Sequence, residues 1–366
     1  MAGRNLISSI DVADKMNEWY RAIQSYRIEE SRRLKDEVKQ MMAHMEENQN
    51  VLLYFSLLEF RMLLNEQYPV DRAKVRQSMR LLNAEHKELT GTLDYYYWLF
   101  KGMYEFRQKK YAEALFSYRQ VEQQVRALED RIEMAQCYYQ LAEVYFELNY
   151  TIVSINYSNL ALKMFNENPD YYRYSIYCRT IIAANYMQRL RVDEASRIYH
   201  EAHETALQHK DQRMIAITRF NIGISEMHQK NYQTAERIFG ETVHDLEILQ
   251  DRYLPKAQLS YFEALAKQGK KEQALQIYEI GIQNAQKWKE TEILAKFQIV
   301  RESVEDDAND KKIDAAFSTL MLLKLYSTVQ DYALETARIF KELGRYPESV
   351  KYYELSNHAH ELLLKG

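Results

Sequence analysis

Cysteine, proline and glycine are scarce in this chain, and each shortage excludes something. Two cysteines in 366 residues, Cys137 and Cys178, are too few for a disulfide framework and stand at no zinc-ligand spacing. Both read as small core residues. Only four prolines and nine glycines interrupt the sequence, and Pro255 and Pro347 fit the first turn of a helix, where a missing N–H costs nothing. No apolar run approaches the length of a membrane span or a signal peptide, so the expected location is the cytoplasm and no membrane partner is expected. Gly-rich phosphate loops, a nucleophile elbow and kinase motifs are missing from the sequence. His200 and His203 can share a helix face but have no third ligand at metal spacing, so no metal site is expected.

What is present is a composition typical of all-α proteins, 46% hydrophobic and 28% charged, with thirty tyrosines. Tyrosine suits positions where a ring fills a core and its hydroxyl reaches the edge. Gly102, Ala142, Ala183 and Gly223 follow one another at steps of 40, 41 and 40, and each has a second small residue twelve positions on: Ala114, Ser154, Ala195 and Ala235. The same step recurs at Phe262/Ala274 and Ala337/Ser349. Four positions further stands Tyr118, Tyr199, Phe239, Tyr278 or Tyr353, with Ser158 the exception. A small residue on each of two crossing helices lets the backbones approach, and the aromatic fills the space beside them. This is the tetratricopeptide (TPR) pattern with a long period, and it predicts helical hairpins stacked into a superhelix whose concave wall holds a peptide or partner helix.

Before the repeats, residues 1–66 show helical periodicity without the repeat signature. They predict three helices near 11–24, 28–46 and 50–66, with Asn48 or Asn50 capping the third. The organisation expected is therefore all-α: a three-helix bundle over 1–68, a connecting helix over 69–88, and about seven helical pairs over 89–366, the sixth degenerate around Glu305-Asp306-Asp307. Nine Lys/Arg against eleven Asp/Glu over residues 1–66 give a net of −2, which argues against nucleic acid as a partner.

Three stretches in order, Lys15-Met16-Asn17-Glu18-Trp19-Tyr20, then Met45-Glu46-Glu47-Asn48-Gln49-Asn50 leading to Leu53 through Arg61, then Leu89-Thr90-Gly91 through Gly102-Met103-Tyr104-Glu105-Phe106, carry a resemblance. The chain resembles the Rap family of Gram-positive bacteria, response regulator aspartate phosphatases and regulator-binding proteins controlled by Phr pentapeptides. The resemblance implies a sporulation phosphorelay receiver as substrate and Gln49 as the glutamine that enters its active site. An aspartyl phosphate is labile and already sits beside Mg²⁺ held by the regulator, so the enzyme needs no cofactor of its own and has only to hold a water in line. A carboxamide can do this, since it donates and accepts without titrating.

The resemblance further implies regulator contacts by Glu47, Asn48, Leu52 and Phe60, of which Leu52 and Phe60 read equally well as bundle core. Relatives usually carry aspartate where Asn48 stands. It also implies a peptide groove with Asn221 on the peptide backbone, unless that side chain is spent on a helix–helix hydrogen bond, and with Asn185 and Gln188 nearby. Many relatives have an aspartate at the position of Gln188 that pairs with a peptide arginine; a neutral amide there implies a peptide lacking the basic residue, or weak sensing. The alternatives are stoichiometric sequestration of a DNA-binding response regulator, or a peptide-sensing adaptor for another target.

Overall fold

A computed structural model describes residues 6–64, 72–86, 89–126, 129–303 and 309–365, and these are helical almost throughout. The helices are α1 (Ser9–Gln24), α2 (Ile28–Met42), α3 (Gln49–Leu63), α4 (Arg72–Glu85), α5 (Thr92–Arg107), α6 (Tyr111–Val125), α7 (Arg131–Glu147), α8 (Thr151–Phe165) and α9 (Tyr172–Gln188). They continue with α10 (Val192–Gln208), α11 (Gln212–His228), α12 (Tyr232–Ile248), α13 (Leu254–Lys267), α14 (Lys271–Lys287), α15 (Thr291–Ser303), α16 (Asp310–Leu322), α17 (Tyr326–Glu342) and α18 (Tyr346–Lys365). Within the two units, α5 with α6, α7 with α8, α11 with α12, α13 with α14, α15 with α16 and α17 with α18 pack as hairpins, six among the described residues, in keeping with the expected all-α architecture. The acidic run at Glu305-Asp306-Asp307 lies outside the described residues.

The small-residue pattern has the packing role its spacing implied. In α5, a Cβ added to Gly102 would lie 2.4 Å from Cε1 of Tyr118 on α6; in α11, one on Gly223 would lie 2.6 Å from Cε1 of Phe239 on α12. The aromatic thus occupies the space a side chain would need. Where the second small residue is serine it also bonds: Ser154 Oγ donates to the carbonyl of Ala142 at 2.8 Å, and Ser349 Oγ to that of Ala337 at 2.8 Å. Most helix-to-helix turns do without glycine, setting Lys109, Asn149, Leu190, Lys230, Gln250 and Lys289 in the left-handed region, with Gly269 and Gly344 in the same role. Pro255 and Pro347 do stand in first turns.

The chain divides into two compact units, Met1–Arg189 and Leu190–Gly366. In the first, one continuous core runs from Val12, Met16 and Trp19 through Leu57 and Phe60 to Tyr95, Phe100, Tyr118 and Tyr174, so the first three helices share their interior with α5 to α9. Within the second, smaller cores join α11 to α13, α13 to α15 and α15 to α18. Ion pairs between turns of successive pairs, such as Arg213–Asp251 at 2.6 Å and Arg252–Glu290 at 2.6 Å, add a polar lacing that the sequence pattern did not reveal.

Replacing Gly223 with alanine is expected to destabilise the protein by about 1–3 kcal/mol through overpacking against Phe239. Gly240→Ala, whose nearest neighbour lies at 3.5 Å, is expected to be neutral or mildly stabilising. Thermal unfolding of the two variants checks this; equal effects would contradict the packing account.

Candidate functional site

Gln49 is the first residue of α3 and is exposed. The turn before it is pinned on both sides. Ile7 and Met45 form a parallel bridge, with Ile7 N–H donating to His44 O at 2.8 Å and Glu46 N–H to Ile7 O at 3.2 Å. Asn48 caps the helix, its Oδ1 accepting from the N–H groups of Asn50 (3.1 Å) and Val51 (3.3 Å). Among the described residues the Gln49 carboxamide has no hydrogen-bond partner, so both its donor and its acceptor face solvent. Glu47 is exposed beside it, and Leu52, three residues on and therefore on the same helix face, is 40% exposed.

Phe60 is different. It is 1% exposed and packs near Tyr104 of α5, so in this packing it belongs to the core and no partner reaches it. The surrounding joint is rich in tyrosine. Tyr54 of α3 stacks on Tyr96 of α5 with centroids 5.5 Å apart, Tyr20 of α1 meets Tyr96 edge-on at 4.9 Å, and Tyr26 after α1 meets Tyr174 of α9 at 5.6 Å.

At the centre of that joint lies Glu133 of α7, a buried carboxylate. It accepts from Tyr20 Oη (3.2 Å), Gln24 Nε2 (3.0 Å) and Tyr95 Oη (2.7 Å), while Gln24 Nε2 also donates to Gln136 Oε1 at 2.8 Å. Burial pushes its carboxyl up to about 7, against the pull of those three donors. Arg61 of α3 is buried as well, with its Nε lacking a partner. Two ionisable side chains buried without a salt-bridge mate among the described residues make a joint less favourable than an apolar one of the same size. Sequence periodicity missed both, because their partners are distant in the chain; a hint was Gln24 standing in the apolar stripe of Met16, Trp19, Tyr20 and Ile23.

The residues expected to meet a peptide fall on two helices, one in each unit. In the first, Asn185 of α9 is fully buried; its Nδ2 donates to Ser154 Oγ at 2.9 Å and Ile181 O at 2.8 Å, and its Oδ1 has no partner. Gln188 ends α9 and is exposed. In the second, Asn221 of α11 is 9% exposed, and its carboxamide has no partner among the described residues, so the helix–helix hydrogen bond that would make it structural is not formed. Cys137 and Cys178 are buried and free, with burial raising both thiols. His203 Nδ1 lies 2.9 Å from Thr218 Oγ1. No described helix is long and apolar enough to cross a membrane.

Residues 6–65 match a family described as response regulator aspartate phosphatase H, N terminal. Response regulator aspartate phosphatase J of Bacillus subtilis (strain 168) is 34% identical over 356 residues, 96% of this chain and 95% of that protein. Among solved structures, a Rap protein complexed with competence and sporulation factor is 30% identical over 97% of this chain and 99% of that one, with a TM-score of 0.90. The apo form of RapI is 32% identical over the same shares, with a TM-score of 0.71.

Because Glu133 titrates near 7 when buried and at 4.5 in its ordinary state, the folded protein holds a proton there that the unfolded chain has lost between those values. Stability from this group is therefore greatest at low pH and falls as pH rises towards 7, with little further change above. Comparing wild type with Glu133→Gln, the difference in unfolding free energy is expected to move by about 2 kcal/mol against the wild type between pH 5 and pH 8. Denaturant unfolding at both pH values checks it, and parallel pH profiles would contradict it.

Proposed function

This chain belongs to the Rap family of response regulator aspartate phosphatases, and from that premise we propose that it hydrolyses the aspartyl phosphate of a sporulation phosphorelay receiver, with Gln49 aligning the attacking water. The observation that carries the proposal is the exposed, unpartnered Gln49 carboxamide at the capped start of α3. An amide there can donate to one oxygen and accept from the water, while the regulator supplies Mg²⁺ and the phosphoryl group. Glu47, Asn48 and the exposed Leu52 frame the contact. Phe60 joins it only when α3 leaves its seat on α5. The reaction takes place in the cytoplasm, where receiver proteins act.

Control comes from a pentapeptide of the Phr type, as the chain's likeness to a Rap protein complexed with competence and sporulation factor supports. The docked bundle is read as the peptide-held state. Asn221 grips the peptide backbone through an amide with no competing partner, whereas Asn185 is fully buried and in this packing is spent on Ser154 and Ile181. Without peptide the bundle undocks, releasing the buried Glu133 and Arg61 to water, and presents Gln49 and Phe60 together. Moving such an equilibrium from 1:99 to 99:1 takes about 5.5 kcal/mol of differential affinity.

Wild type is expected to remove label from the phosphorylated receiver catalytically, and Gln49→Ala to lose about 100-fold or more in rate. Binding with no label loss, together with displacement of a DNA-bound response regulator, would overturn the phosphatase reading in favour of sequestration. For the peptide, Gln188→Asp is expected to raise affinity for an arginine-bearing pentapeptide about tenfold. Nanomolar binding of that peptide by wild type, unchanged in Gln188→Ala, would contradict the role given to Gln188.

A further inference from the structure

We infer that Ser9 is the positioning residue of the Gln49 corner, tying the start of α1 to the turn that aims the carboxamide. The inference rests on the reading of Gln49 as the water-aligning group. Ser9 is buried, whereas Leu6 and Ile10 beside it are 60% and 70% exposed, so its burial is not that of a general apolar contact. Its backbone N–H and its hydroxyl both donate to Glu46 Oε1, at 3.0 and 2.8 Å. The same hydroxyl oxygen accepts from Asn48 Nδ2 at 3.2 Å. Asn48 passes the restraint on, since its Oδ1 holds the N–H groups of Asn50 and Val51, the two residues that follow Gln49. A continuous run of hydrogen bonds therefore joins Glu46, Ser9, Asn48 and the first turn of α3.

This geometry gives the asparagine at position 48 a physical reason. The cap needs an acceptor and Ser9 needs a donor, and one carboxamide supplies both. An aspartate would cap equally well but would face Glu46 across a hydroxyl with a single proton to give, setting two carboxylates in competition. The two Ser9 donors also hold the Glu46 carboxyl below its ordinary value, as hydrogen bonds to a carboxylate do. Because Gln49 itself has no hydrogen bond to fix it, its placement depends on this backbone restraint, and in-line hydrolysis loses about 100-fold for a displacement near 1 Å.

The test compares Ser9→Ala, Ser9→Thr and Asn48→Asp with wild type and Gln49→Ala in steady-state dephosphorylation of a phosphorylated sporulation phosphorelay receiver. Amide hydrogen exchange is followed on the same full-length proteins. Ser9→Ala is expected to lower kcat about tenfold with KM within twofold, and to speed exchange at Asn50 and Val51 while the core helices stay protected. Ser9→Thr keeps the hydroxyl and restores most of kcat, and Asn48→Asp behaves like Ser9→Ala. Wild-type kcat in Ser9→Ala, a change in KM alone, or failure of threonine to rescue would overturn the role of Ser9 while leaving Gln49 in place. No turnover by wild type, or full turnover by Gln49→Ala, would instead overturn the proposed function and the role of Ser9 with it.

Discussion

The first unit depends on a polar joint where an apolar one would be more favourable. Glu133 of α7 gathers donors from Tyr20, Gln24 and Tyr95, and its carboxylate leaves water to do so. Arg61 is buried in the same unit with an unsatisfied Nε. Each hydrogen bond offsets part of the desolvation, but the sum leaves α1 to α3 held less firmly than their apolar contacts alone would hold them. A joint of that kind can be released by a partner with modest binding energy, and can be restored by a ligand that favours the packed form.

Packed aromatic rings, one pair stacked and one edge-on, give the same joint its shape. Tyr54 against Tyr96 and Tyr20 against Tyr96 are rigid contacts that fit in one arrangement or not at all, so the bundle has discrete seats in place of a continuous slide. The Gln49 corner lies away from these contacts, at the exposed start of α3. Docking therefore leaves Gln49 and Leu52 uncovered while it hides Phe60. In the proposed scheme peptide acts on the regulator surface as a whole, through Phe60 and the orientation of α3, without blocking the glutamine directly.

Much of the fold was legible because it is written in short-range periodicity. The twelve-residue small pairs predicted where Gly102 meets Tyr118 and Gly223 meets Phe239, and residue type and position narrowed the cap to Asn48 or Asn50, of which Asn48 forms it. Gln49 could be found only through resemblance, since an exposed amide in a turn has no signature of its own. Glu133 and Ser9 were not legible: the first meets residues 109 and 113 positions away, and the second meets residues 37 and 39 positions away. A polar residue inside a helix reads as solvent-facing until its distant partners are placed around it. For Phe60 the sequence allowed two environments, and the packing shows the buried one.

The central claim, that a docked and an undocked bundle exchange under peptide and regulator, is tested most directly by a distance. Spin labels on cysteines introduced at exposed Ser56 of α3 and Ile152 of α8 would report it, since the native Cys137 and Cys178 are buried. The two-state scheme predicts a short distance with peptide bound and a second, longer population when phosphorylated receiver is added. A single unchanged distance under both conditions would contradict it.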